Sequence, residues 1–551
     1  MTLGMEIGYE SEGHALCRVS CGKGGGSKGM KSGERWIRAC RPEIRQPSLE
    51  DNTADVDRLL SGVRRLLDVA GLRVDLQLMR RIPRVLRENA YRVEAIAAKD
   101  GGSWRLVDVL PCKGRSGLLG LAVDVGTSTV VVRLLDIEGG EVLDESGFIN
   151  PQTEYGEDIL TRIHFASQEN GLSTLQRVLL DRLNAEIVRM AKGQGTSPDR
   201  IFGASLAGNT AMTHFFLGLN PYWICREPYI PAVNRPDLLR ASEIGLAVNA
   251  QAPVLVFPNV GSYFGGDLIA GILVSGMDRS EATGILVDVG TNAEVVLGNR
   301  EWLMACAGAA GPALEGGVAR MGMMAGPGVI DRVRLDPVSR RFQVRTIDGR
   351  PPVGICGSGL IDLVSQMFLA GMIDMQGKFV PDACGDRLSE QDAVRTFELV
   401  PASKSGCGEP LTLSQPDVDA LMRSKAAMYT ILTTVAGMVG ISMGDLERFF
   451  IAGTFGTYID PESAVTLGMI PDIPLDRYLS LGNTSLEGAT RGLLSADAPA
   501  RIERIRDRIT YIELNVNQEF MNLFSAARFI PHTDRSLFPS VEEWENEPTR
   551  G

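Results

Sequence analysis

Hydrophobic and polar positions along the chain follow two periods, and the period at each place predicts the element. Near the N-terminus, Val56 to Val69 and Asp75 to Glu88 space apolar residues three and four apart, which predicts two amphipathic helices. A hairpin follows, with Arg92 to Ala98 and Ser103 to Leu110 as strands that turn at Asp100-Gly-Gly. Farther on, Leu175, Val178, Leu179, Leu183, Ile187 and Met190 make one apolar helix face, and Ser173-Thr-Leu-Gln176 matches a capping box at its start. A long helix is expected after Ser414-Gln-Pro416-Asp, where proline suits the first turn. Near the end, Ala498 to Ile509 reads as helix, Thr510 to Val516 as strand and Asn517 to Arg528 as helix. Interleaved strands and helices define an α/β class with mixed sheets.

One pattern occurs twice. Leu121-Ala-Val-Asp124-Val-Gly126-Thr127-Ser128-Thr129 and Ile285-Leu-Val-Asp288-Val-Gly290-Thr291-Asn292 lie 164 residues apart. Each is a strand-like run that ends on an Asp, turns through Gly-Thr and resumes as a second strand, Val130 to Leu135 or Glu294 to Leu297. Glycine at the bend lets backbone N–H groups approach an anion, hydroxyls add donors, and the Asp can hold a divalent metal. Phosphate and Mg2+ are the natural guests. A repeat at domain-length spacing predicts a duplicated lobe whose two turns clamp a nucleotide's phosphates across a cleft. A third element, Phe449-Phe-Ile-Ala-Gly453-Thr454-Phe-Gly456, reads as an apolar run breaking into a Gly-rich loop, with Pro461 to Gly468 as the helix after it. The phosphate loop ending in Gly-Lys-Ser/Thr is missing, and no Gly-x-Gly-x-x-Gly follows a strand in the first half.

A chain of 551 residues is too long for one core and predicts about three or four domains. The pattern divides it into a Gly-, Lys- and Ser-rich segment at 1–50, a connector at 51–116, a first lobe at 117–280 and a second lobe at 281–551. A formal net charge of −12 argues against nucleic acid or an anionic membrane as the main partner. The Arg-rich run from Met79 to Arg87 reads as the solvated face of a helix. No apolar run approaches a membrane span and no signal pattern opens the chain, so a cytoplasmic protein is expected. Nine irregularly spaced cysteines do not form a disulfide framework, and Cys306 and Cys356 read as small thiols packed under Gly-rich loops. Four scattered histidines give no local metal signature.

The two Asp-x-Gly-Thr hairpins and the late Ala-Gly-Thr-Phe-Gly segment resemble the acetate and sugar kinase/Hsc70/actin superfamily. Several runs sharpen the resemblance: Asn150-Pro151-Gln152 through Gly156-Glu157-Asp158 to Arg162, Ala207-Gly208-Asn209-Thr210 to His214, Gly311-Pro312 to Glu315-Gly316-Gly317, Cys356-Gly-Ser-Gly359 to Asp362, and Phe529-Ile-Pro-His532-Thr-Asp534. Together they resemble the reductive activators of corrinoid proteins, from about residue 70 to the end. The resemblance implies duplicated actin-like ATPase lobes and ATP-dependent reduction of an inactive Co(II) corrinoid protein to Co(I), ready for methyl transfer. It implies that Asp124, Gly126, Thr127, Ser128 and Thr129 hold phosphate and Mg2+ in the first lobe, and that Asp288, Gly290, Thr291 and Asn292 do so in the second. Asp124 and Asp288 would be the catalytic and metal-holding carboxylates. Gly453, Thr454 and Gly456 would contact the nucleoside, with Lys425 a further candidate. Asn209 borders the cleft or caps the next helix. The expected partners are a corrinoid protein and, by resemblance, a second copy of the chain.

Many members of that family carry a plant-type [2Fe-2S] module at the N-terminus. Here Ser27 and Met30 stand at the second and third ligand positions after Cys21, and Cys40 comes too early for the fourth. Neither Ser nor Met replaces a thiolate well. Cys17, Cys21 and Cys40 are therefore weak ligand candidates, a degenerate ferredoxin-like module is expected, and electrons would come from a separate donor protein. A phosphotransferase of the same superfamily, with Asp158 or Glu315 as base, and a non-redox ATP-gated scaffold are the competing expectations.

Overall fold

The computed structural model describes residues 35–112, 117–290, 292–309, 319–336, 339–513 and 518–541. The chain divides into two compact units: one runs as far as Ala270 and includes Ser485–Asp507, and the other holds Gly271–Thr484 and the residues from Arg508 onward.

The first unit opens with a connector. Strands β1 (Ile37–Cys40), β2 (Leu72–Arg73), β3 (Val93–Asp100) and β4 (Ser103–Pro111) form a sheet ordered β1-β3-β4-β2. Helices Asp55–Leu67 and Leu76–Glu88 bury Leu59, Val63, Ile82 and Leu86 in the core shared with Val93, Ala95 and Leu106. Met79, Arg80, Arg84 and Arg87 stay exposed, as the period requires. Strand β1 departs from expectation. It pairs antiparallel with β3, Ile37 opposite Ala98, so the connector begins well before residue 51. Four residues beside a Gly-rich stretch are too short to show a period. Cys40 is a buried core residue of that strand, and burial raises its thiol pKa. Cys17 and Cys21 lie outside the described residues.

Next come β5 (Leu119–Val125), β6 (Thr129–Asp136), β7 (Val142–Ile149), β8 (Ile201–Gly208), β9 (Leu239–Arg240) and β10 (Pro253–Val256), ordered β7-β6-β5-β8-β10-β9. β5, β6 and β7 run antiparallel, whereas β8 is parallel to β5 and β10 to β8. Helix Gly171–Gly193 buries Leu175, Leu179, Leu183, Ile187 and Met190 in this sheet's core. The capping box expected at Ser173 does not form. The helix starts at Gly171 after a left-handed Asn170, and the Ser173 hydroxyl donates to the Asn170 carbonyl. The turn out of helix Ile159–Ala166 is so tight that a Cβ on Gly171 would overlap the Phe165 carbonyl.

In the second unit the strands are β11 (Gly284–Val289), β12 (Asn292–Gly298), β13 (Leu303–Ala309), β14 (Val329–Leu335), β15 (Phe342–Thr346), β16 (Gly354–Ile355), β17 (Leu388–Gln391), β18 (Val394–Val400), β19 (Leu411–Ser414), β20 (Arg448–Ala452), β21 (Tyr478–Gly482) and β22 (Ile509–Glu513). The main sheet is ordered β21-β20-β11-β12-β13-β22, and two three-stranded sheets, β15-β14-β16 and β17-β18-β19, are inserted between β13 and β20. β11, β12 and β13 run antiparallel, β20 is parallel to β11, and β21 to β20. Those five strands repeat the order and directions of β5, β6, β7, β8 and β10. The duplication thus extends from one turn to a whole sheet. Helix Gln415–Met438 starts where the sequence places it: the Asp417 N–H donates to the Ser414 hydroxyl, and the Ser414 N–H donates to the Asp417 carboxylate at 2.8 Å.

Candidate functional site

β5 delivers Asp124, half-buried, beside Ala207 of β8 and Val131 of β6. The turn after it needs glycine, because a Cβ on Gly126 would stand 2.5 Å from the Thr129 carbonyl oxygen. On the neighbouring strand, a Cβ on Gly208 would stand 2.7 Å from the Val125 carbonyl. Thr127 is half-buried, and Ser128 and Thr129 are exposed.

Three residues without an assigned role in the sequence hold this turn from beneath. The buried Asn150 donates through Nδ2 to the Gly126 carbonyl at 2.9 Å, and its backbone N–H donates to Ser128 O at 2.9 Å. Its Oδ1 accepts from the N–H of Gln152, whose own amide donates to Leu175 O at 3.0 Å. The buried Arg162 donates to the Thr127 carbonyl at 2.7 Å and to Gly156 O at 2.7 Å. Burial lowers its pKa to about 10, so the guanidinium stays charged at neutral pH. Three successive carbonyls, of residues 126 to 128, thus point into the protein. A trans peptide directs its N–H opposite its C=O, so the N–H groups of Thr127 and Ser128 face the other way, as an anion-binding nest requires.

Asn209 caps the next helix and also reaches the first turn. Its Oδ1 accepts from the Met212 N–H at 2.9 Å, capping helix Thr210–Leu217, while Nδ2 donates to the Thr127 hydroxyl at 3.0 Å. A neighbour went unnoticed in the sequence. A Cβ on Gly265 would lie 2.5 Å from Asn209 Cα and 2.6 Å from an oxygen of Asp267, so the Asp267 carboxylate sits close to the Asn209 loop. The available signal was Gly265-Gly266-Asp267 directly ahead of the apolar helix Gly266–Ser275.

The second turn is built on the same plan. Asp288 is half-buried at the corresponding place of β11, beside Ala452 of β20. Burial pushes its carboxyl up to about 6 against the pull of the Val289 N–H. A Cβ on Gly453 would stand 2.8 Å from Asp288 Oδ1, and Gly453 has a φ of +78°. Ala452-Gly453 is therefore the structural counterpart of Ala207-Gly208. The Gly-rich stretch after β20 is not a loop but a helix, Gly453–Tyr458, entered directly from the strand. Glycine is a poor helix former, yet here it permits close approach: a Cβ on Gly456 would stand 2.5 Å from Ile451 O. Gly290 is half-buried, and Asn292 opens β12. Thr291 and the run from Gly311 to Gly317, including Glu315, lie outside the described residues; for Thr454 the description covers only its backbone, in the first turn of helix Gly453–Tyr458.

Lys425 departs from expectation. It is fully buried on helix Gln415–Met438, where its ammonium donates to Phe529 O at 2.5 Å and Pro531 O at 2.7 Å. Burial lowers its pKa well below the usual lysine value. In this position it tethers the segment 529–531. Cys306 is buried with its thiol pushed up to about 12, and Cys356 donates to Ile330 O at 3.3 Å, so both behave as packed thiols. Asp158 caps helix Ile159–Ala166, and its bonds from the Thr161 N–H and hydroxyl hold its carboxyl below the usual range, unlike a general base. Among the described residues no group of three or more His, Cys, Asp or Glu is placed to hold a metal. One carboxylate per turn suits Mg2+, which keeps several waters and takes its remaining oxygens from phosphate.

Three stretches of the chain match known family models. Residues 36–114 match the RACo linker region, 119–280 the RACo middle region, and 282–542 the C-terminal domain of RACo, the ASKHA domain. The corrinoid activation enzyme RamQ of Eubacterium limosum is 30% identical over 76% of this chain and 72% of its own length. The chain belongs to the reductive activators of corrinoid proteins. Within that family, a solved reductive activator for corrinoid, iron-sulfur protein is 36% identical, with a TM-score of 0.84 over 92% of this chain and 81% of its own. A methylated amine-specific Co(II) corrinoid protein reductase of Methanosarcina barkeri is 23% identical over 74% of this chain and 76% of that one. The activators' linker match starts at residue 36, where β1 joins the connector sheet.

Proposed function

We propose that this chain is an ATP-dependent activator that returns a Co(II) corrinoid protein to the Co(I) state, taking its electron from a separate donor protein. The observation that carries this reading is the pair of strand-ending aspartates, Asp124 and Asp288, at equivalent places of two sheets with the same strand order. Membership of the activator family supports the substrate.

The residues fit a nucleotide with Mg2+. Glycines at 126, 208 and 453 permit the close approach of Thr129 O, Val125 O and Asp288 on which the two turns are built, and Asp288 is a carboxylate whose burial disfavours its charge until a cation neutralises it. Asp124 and Asp288 would hold the metal. The N–H groups of Thr127 and Ser128, with the Thr127 and Thr129 hydroxyls, would bind phosphate, as would Gly290, Thr291 and Asn292. Gly453, Thr454 and Gly456 would lie against the nucleoside. Arg162 and Asn150 act earlier, by fixing the carbonyls so that the nest is formed before a ligand arrives, and Asn209 orients the Thr127 hydroxyl. Bound Mg-ATP would supply the free energy for an uphill one-electron reduction. Only a difference in affinity between two conformations of the activator can transmit it.

Anaerobic electron paramagnetic resonance tests the proposal. The Co(II) signal of a corrinoid protein mixed with this chain and titanium(III) citrate should disappear only with Mg-ATP. Persistence of the signal across several corrinoid proteins, with Mg-ATP bound, would refute it.

A further inference from the structure

Between residues 35 and 112 the connector carries fifteen Arg and Lys against eleven Asp and Glu, on a chain whose net charge is −12. A basic module of net +4 is thus joined to a remainder of net −16. Part of this basic charge lines an open cleft of about 990 Å3, bounded by residues 41–46, helix Asp55–Leu67 and the turn at 90–93. Five arginines line it, at 41, 45, 58, 65 and 92, and Glu43 is the only carboxylate in the lining. Arg58 is buried and paired with Asp51, and Arg41 is paired with Glu94. Arg45, Arg65 and Arg92 are exposed and make no ion pair among the described residues.

The cleft has a fixed frame. Gly62 brings the helix against Pro42, since a Cβ there would stand 2.9 Å from the proline Cβ. Ala90 and Tyr91 both have left-handed backbones, with φ of +49° and +62°, and the Tyr91 hydroxyl anchors that turn by donating to Asp55 at 2.9 Å. Two consecutive left-handed non-glycine residues are held only where surroundings over-determine them. Three unpaired guanidinium groups converging on one cleft repel each other, and carboxylates from outside relieve that repulsion with bidentate bonds. The lining contains one glycine and no nest of N–H groups of the kind that selects a small phosphate. Its long, exposed arginines suit several acidic side chains spread over a protein surface.

We infer that this cleft docks an acidic electron-carrier protein, the donor on which the function proposed above depends. The strongly acidic remainder of the chain repels such a carrier and directs it to the connector. One electron leaves the reduced carrier and converts Co(II) to Co(I), and no bond to this chain is made or broken.

The test compares the full-length chain with its Arg45→Glu/Arg65→Glu/Arg92→Glu variant in Co(I) formation, using either titanium(III) citrate or an acidic low-potential ferredoxin as reductant. All three positions are exposed and outside the nucleotide site. With the chemical reductant, both proteins should work equally. With the ferredoxin, the variant's apparent KM for the carrier should rise on the order of tenfold or more at low salt, the corresponding Lys variant should recover most of the loss, and high salt should bring the wild type towards the variant. An unchanged KM in the variant, or a wild type that forms Co(I) with titanium(III) citrate but not with the ferredoxin, would overturn the inference. No Co(I) from the wild type with either reductant would instead refute the functional reading beneath it.

Discussion

Arg162 acts where its local sequence gives no hint of a role. Its guanidinium satisfies carbonyls at Thr127 and Gly156, and no other basic side chain has the fork to do both. Arg162→Met leaves those carbonyls unpaired and should lower stability by about 3 kcal/mol, and Arg162→Lys should recover only part of it, read as the shift of a denaturant midpoint. The same logic makes the Asp turns legible and their supports illegible. Asp-x-Gly-Thr is a local signal, because strand, bend and strand lie within a dozen residues. Asn150, Gln152 and Arg162 act on residues 23 to 35 positions away, and only the folded chain brings them there.

His214 illustrates residue-scale pH dependence. It is buried, its Nδ1 faces the Thr210 carbonyl at 2.7 Å, and its Nε2 accepts from the Ala232 N–H at 3.1 Å, an arrangement that fixes a neutral ring. Burial lowers its pKa below 6.5, against the Thr210 bond. As pH falls, the unfolded chain therefore takes up this proton first, so the stability from the neutral ring is intact above 6.5 and is lost as pH falls through the folded value. His532, lowered first by burial and next by Lys425, adds to the same trend. Urea midpoints should drop between pH 7.5 and pH 5.5, and His214→Gln should flatten that slope. An unchanged slope would show that the ring is not held neutral.

At the scale of elements, the periodic helices and long hairpins were readable because each repeats its signal over ten or more residues. Helix Gln415–Met438 was readable from its cap. Strand β1 was too short to read, and Gly453–Tyr458 looked like a loop because its glycines answer to packing rather than to helix propensity. The tethering role of Lys425 was illegible for a related reason, since no local pattern announces that a lysine will be buried against a segment about a hundred residues later. Lys425→Met should therefore leave Mg-ATP affinity within about twofold while costing about 2 kcal/mol of stability from the unpaired carbonyls at 529 and 531. Calorimetric titration and chemical denaturation separate the two effects. A large loss of affinity at unchanged stability would restore lysine to the nucleotide site.

At the scale of the molecule, two sheets of the same order and direction make one argument from two turns. Each turn presents its own carboxylate, so each is expected to matter by itself. Asp124→Asn and Asp288→Asn should each weaken Mg-ATP binding at least tenfold, about 1.4 kcal/mol or more, with the folded spectrum intact. The connector's basic cleft stands outside this machinery, which is why donor-dependent and nucleotide-dependent defects are expected to separate.

The most direct measurement is anaerobic absorbance of a Co(II) corrinoid protein with titanium(III) citrate and Mg-ATP, run side by side with the wild-type chain, Asp124→Asn and Asp288→Asn. The account predicts the Co(I) spectrum with the wild type, its absence when ATP is withheld, and its absence with either variant. Co(I) formed equally well by the wild type without ATP, or by either variant with it, would contradict the account.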